Sequence, residues 1–131
     1  MDEPFDGIKI TGLDLQRTQP STRAPGLRHM YLTLFAAPPY EWTQIFEDRR
    51  RFPRHSMWRR AWIEGDSIVI DCVPEEIEGC HLNDLKEDVV ACNERYLEWR
   101  TMAAAAAANR DEEERREQKR LEELQSRLKF D

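Results

Sequence analysis

No glycine or proline follows Gly79, so nothing in the remainder of this 131-residue chain interrupts a helix. Asn83 or Asp84 can cap its start, and Asp84 with Glu87 three residues on resembles a capping box. Leu85, Val89, Cys92, Tyr96, Trp99 and Ala103 then recur at alternating steps of four and three, the seam of a heptad. Ala103 to Ala108 is a run of the strongest helix former. Beyond it, Asp111–Arg115, Glu112–Arg116 and Lys119–Glu123 are opposite charges four apart, each worth roughly a few tenths of a kcal/mol. Leu121, Leu124 and Leu128 restore a thin apolar stripe.

A helix from about 84 to 129 would be on the order of 70 Å long. A domain made from the preceding residues would be only about 25–30 Å across. The helix is therefore expected to project, to bend back, or to pack on another chain. The first half of its seam is expected to join the core of the domain, over the hairpin face that carries Trp58 and Trp62.

The preceding residues read as strands and one short helix. Gly7-Ile8-Lys9-Ile10-Thr11 alternates with period two and Leu13 and Leu15 continue it, which predicts a strand over 7–16. Pro20, Ser21, Pro25 and Gly26 mark a loop. His29 to Phe35 is apolar or β-prone almost throughout, as in a central strand. Pro38-Pro39 stops it. Trp42, Ile45, Phe46, Arg49 and Phe52 then fall at helical spacing, predicting a helix over 39–51 that ends before Pro53.

Gly65-Asp66 suits the two-residue type II′ turn of a hairpin. That turn sets Glu64 opposite Ser67, Ile63 opposite Ile68, Trp62 opposite Val69, Ala61 opposite Ile70 and Arg60 opposite Asp71. The last pair is opposite in charge.

The order β-β-α-β-β-α predicts an α+β fold, a two-layer domain with a mainly antiparallel sheet of about four strands plus a long C-terminal helix. One specific form is a ferredoxin-like core that starts at the strand near 28, with the N-terminal strand standing in for the missing last one. Residues 1–102 would form the small domain, and 103–131 a C-terminal extension of its last helix, alanine-rich and then charged.

The densest local feature is Arg49 to Arg60, with Arg49, Arg50, Arg51, Arg54, Arg59 and Arg60 and no acid. Guanidinium forks match phosphate and carboxylate, and Trp58 or Phe52 could stack on a base, so the segment is a candidate anion or nucleic-acid patch. The competing and favoured reading is that these arginines neutralise the acid-rich stretch from Glu64 to Glu98. A net charge of -6 argues against general affinity for polyanions.

Other chemistry has weaker support. Cys72, Cys80, His81 and Cys92 are zinc-ligand types without a Cys-x-x-Cys spacing, and Cys72 and Cys92 fall on apolar seams. The adjacent Cys80 and His81 lack the flanking motif of a nucleophile and base. With 5 glycines, phosphate-cradling loops are nearly ruled out, and no cofactor is expected. Trp42 and Trp99 are assigned to packing, and Trp58 and Trp62 are the expected exposed pair.

No apolar stretch approaches the roughly 20 residues that span a bilayer, and the acidic start Met1-Asp2-Glu3-Pro4 lacks the features of a secretory signal. An odd number of cysteines does not suggest a disulfide framework. A cytoplasmic, non-enzymatic interaction or oligomerisation module is the leading expectation. Its partner would be a second copy, or another protein, on the C-terminal helix, with Leu121, Leu124 and Leu128 at the interface. The alternative is a small nucleic-acid or polyanion-binding accessory protein that uses the arginine segment.

Overall fold

A computed structural model of the chain describes residues 4–130. Its elements are β1 (Ile10–Pro20), β2 (Arg28–Leu34), α1 (Tyr40–Arg50), β3 (Ala61–Glu64), β4 (Ser67–Cys72), a π-helical turn (Ile77–His81) and α2 (Leu82–Arg127). The four strands form one antiparallel sheet in the order β1-β2-β4-β3, and with the helices they make the expected two-layer α+β fold. The order is not exactly ferredoxin-like, because the strand beside β2 comes from the N-terminus, the substitution that the sequence suggested, and not from a segment after the second helix.

The hairpin register is the one its turn demands. Ala61 pairs with Ile70, Trp62 with Val69, Ile63 with Ile68 and Glu64 with Ser67. Gly65 has φ 58° and among the described residues only glycines have positive φ, so only the first turn position has it here, as in type II′. A side chain at Gly65 would be strained there.

Alternation then sorts the sheet into two faces. Met30, Leu32, Leu34, Ala61, Ile68, Ile70 and Cys72 join Trp42 and Phe46 of α1 and Leu85, Val89, Cys92 and Tyr96 of α2 in one core. Trp42 and Phe46 are fully buried and stack at 5.6 Å. Both helices therefore lie on this face, and α2 does not cover the opposite face with Trp62, whereas Trp58, which precedes β3, sits on the helix side against Arg50 and Arg54. That second face closes on its own side chains: the Arg17 guanidinium lies over Tyr31, His29 packs edge-on to Trp62, and Val69 is fully buried.

Several local expectations change. β1 begins at Ile10 and continues to Pro20 through an irregular register between Asp14 and Gln19, rather than ending near 16. Pro39 precedes the first helical residue instead of supplying it. Neither Asn83 nor Asp84 caps α2, because the π-helical turn already leads into it from Ile77. Arg60 and Asp71 are not an ion pair: Arg60 lies over the Trp62 ring, and the Asp71 carboxylate is 3.9 Å from Arg23. Trp99 is 42% exposed, since the buried run of the seam ends at Tyr96.

Contacts divide the chain into two compact units, one up to Tyr96 and one from Leu97 onward. The second contains only helix and the few residues after it, and no side chain between Leu97 and Phe130 is buried. Its charges pair along the helix. Arg115 and Arg116 both reach Glu112, and Arg120 reaches Glu117 at 2.6 Å. The expected Asp111–Arg115 pair does not form, because Arg115 turns back onto Glu112 three residues before it, and among the described residues Lys119 and Glu123 do not pair either. No helix among the described residues is long and apolar enough to cross a membrane.

Candidate functional site

The arginine segment is built around a buried acid. Arg49 and Arg50 close the last turn of α1, where the helix dipole already favours cations. Asp88 stands on α2 between the buried Leu85 and Cys92 positions and is fully buried. Its Oδ1 accepts hydrogen bonds from Arg49 Nε at 2.6 Å and Arg54 Nη2 at 2.7 Å, and its Oδ2 accepts one from Arg50 Nη1 at 3.0 Å. Arg50 is itself buried and also donates to the Arg59 carbonyl at 2.7 Å. Burial lowers the Arg50 pKa, and the bond to Asp88 opposes that shift.

Trp58 completes the cluster. The Arg50 and Arg54 guanidiniums lie 3.6 and 4.4 Å from its ring centre, and its indole N–H donates to the Arg50 carbonyl. Arg51 pairs with Asp48 on the surface, and Arg59 forms a two-pronged bond with Glu76 at 2.9 and 3.0 Å. Five of the six arginines thus meet carboxylates of the chain, and Arg60 rests on Trp62. Asp88 and Glu76 both belong to the acid-rich stretch that the segment was expected to neutralise. Trp58 and Trp62 are both half-buried. An open groove of about 540 Å³ remains beside them, bordered by Glu47, Arg51, Arg60 and the two indoles.

Glu76 ties the end of the sheet to the start of α2. Besides Arg59 it meets Nε2 of the buried His81 at 3.0 Å. The Arg59 bond, with His81 second, holds the Glu76 carboxyl well below the usual 4.5, at about 2. A depressed folded-state pKa gives stability that is complete above 4.5 and is lost as pH falls toward 2. Glu76→Gln should therefore cost about 2 kcal/mol at neutral pH, the full shift being reduced by solvent screening at the partly exposed Arg59. It should also flatten the acid limb of the thermal midpoint between pH 4.5 and 2, a change that circular dichroism melts would follow.

Both ring nitrogens of His55 are engaged: Nδ1 accepts from the Met57 amide at 3.1 Å, and Nε2 lies 2.6 Å from Asp84 Oδ2. Burial pushes the Cys72 and Cys92 thiols up to about 12, so neither supplies a thiolate. Among the described residues no group of three or more His, Cys, Asp or Glu is placed to hold a metal ion.

The other sequence-derived site lies in the second unit. Leu121, Leu124 and Leu128 are 43%, 40% and 49% exposed and share one stripe. Sequence reasoning missed Asp88 as the hub of the arginine segment. The available signal was its place one residue before Val89, on the flank of an apolar seam where a lone acid needs a cation. Comparison with protein-family models, with curated proteins and with solved structures returned no match.

Proposed function

We propose that this chain is a non-enzymatic protein-interaction module that assembles as a homodimer through the helix from Leu97 onward, with Leu121, Leu124 and Leu128 in the contact. One observation carries the reading: a helical unit in which no described side chain is buried, yet in which leucines recur on one face. Charge pairs along a helix maintain its solubility, but they do not require an apolar stripe, whereas a partner surface does. The arginine segment offers less to a polyanion, because five of its guanidiniums already face carboxylates. A cytoplasmic setting belongs to the same reading. It draws support from three unpaired thiols, two of them in the core.

Light scattering at micromolar concentration tests the proposal. The full chain should have twice the 15.6 kDa monomer mass, and a variant ending at residue 108 should have the monomer mass with its sheet signal retained. A full chain that is monomeric, with a mass state unchanged by the deletion, would overturn it.

A further inference from the structure

A second helix can run in either direction along the first, and the side chains of the stripe discriminate between the two. Carried back from Leu128, Leu124 and Leu121 at steps of three and four, the same face holds Glu117, Glu114, Arg110, Ala107 and Ala103. At roughly 100° per residue, all of these positions fall within about 100° of one another. The face is small at one end, charged in the middle and leucine-bearing at the other.

A parallel partner would set every residue against its own copy. Arg110 would meet Arg110 and Glu114 would meet Glu114, and like charges in a seam repel. Ala103 and Ala107 would meet alanines, which have no bulk to fill the space between helices. An antiparallel partner reverses each of these mismatches.

Resting on the homodimer reading, we infer that a second copy packs antiparallel along this face, with the two-fold axis near residue 112. Leu121 of each copy then faces Ala103 of the other, whose methyl group admits close approach, with Leu124 beside it and Leu128 at the edge of the contact. Arg110 stands opposite Glu114 of the second copy, and symmetry repeats the pair. Among the described residues neither Arg110 nor Glu114 makes an ion pair within its own chain, so both charges are available. Glu117 falls beside Ala107, and Arg120 of its own helix holds it to one side at 2.6 Å.

The contact is modest in size. Residues from Leu97 to the end of α2 at Arg127 span about 46 Å, and a strip about 10 Å wide on two such helices covers on the order of 1,000 Å². That is the lower bound for a specific interface, so the dimer should dissociate on dilution.

Sedimentation equilibrium on the full-length protein over about 1–200 μM tests orientation separately from assembly. Arg110→Glu should weaken the dimer by about tenfold or more, because it places Glu against Glu114 at both symmetric contacts. The double variant Arg110→Glu/Glu114→Arg should recover wild-type association to within about threefold. In a parallel dimer Arg110→Glu merely exchanges one like-charged pair for another and changes nothing. An unaltered dimer in the single variant, or no recovery in the double variant, overturns the antiparallel arrangement while leaving the homodimer in place. A wild-type chain that stays monomeric throughout overturns both.

Discussion

Replacing Asp88 with asparagine is expected to destabilise the protein by about 3–5 kcal/mol, the cost of leaving a buried charge without its counter-ion. The carboxylate is fully buried and receives three arginine donors, one of them from the equally buried Arg50. An amide of the same shape cannot balance that guanidinium, and its NH₂ group would point a donor at donors. Total stability for a domain of this size is about 5–15 kcal/mol, so the loss would leave the variant near its folding threshold. Urea unfolding followed by tryptophan fluorescence would measure it, since Trp58 reports from within the cluster. Arg54→Ala should cost far less, because that side chain is 37% exposed and Asp88 keeps two donors. Equal losses in the two variants would mean that Asp88 is not the hub described above.

The second large effect is expected at Asn93. Its Oδ1 accepts from the Trp42 indole N–H at 2.9 Å and from the Ile8 amide at 2.9 Å, and its Nδ2 donates to the Ile8 carbonyl at 3.0 Å. One amide thereby joins the N-terminal arm, α1 and α2. Gly7, at φ 94°, makes the approach feasible, because a Cβ there would come within 3.3 Å of Asn93 Nδ2. Asn93→Ala strands the N–H of a fully buried tryptophan together with two backbone groups, at an expected cost of about 3 kcal/mol. Asn93→Asp keeps both acceptor contacts and loses only the donor, so it should fall between wild type and alanine. Thermal melts of the two variants would rank them, and a silent Asn93→Ala would show that the arm is not anchored there.

Much of the fold was legible because it rests on local periodicities. Alternation around Gly65-Asp66 gave the hairpin register pair by pair, and the four-and-three spacing of Leu85, Val89, Cys92 and Tyr96 marked the buried face of α2. Helix termini were less legible. Asp84 has the sequence of a cap, but the π-helical turn from Ile77 supplies the helix start and leaves Asp84 to bind His55. Trp99 continues the heptad and is nonetheless 42% exposed, because periodicity shows which face could be buried and not where the covering surface stops.

The candidate sites divide in the same way. A run of arginines announced a need for anions, and composition placed a surplus of acids nearby. Which acid meets which arginine depends on residues 34 to 39 positions apart in sequence, Arg54, Arg50 and Arg49 against Asp88. No local pattern encodes such a distance.

The sequence by itself determined the long terminal helix, since an alanine run and charge pairs with no glycine or proline leave the backbone no better choice. It also determined which face of that helix is apolar. Only the tertiary structure decided that the buried part of the seam ends at Tyr96, that both helices share one side of the sheet, and that the arginines turn inward onto Asp88 and Glu76. The reason is physical. Helix formation is governed by neighbours within a turn, whereas the pairing of a buried charge is governed by whichever elements packing brings together.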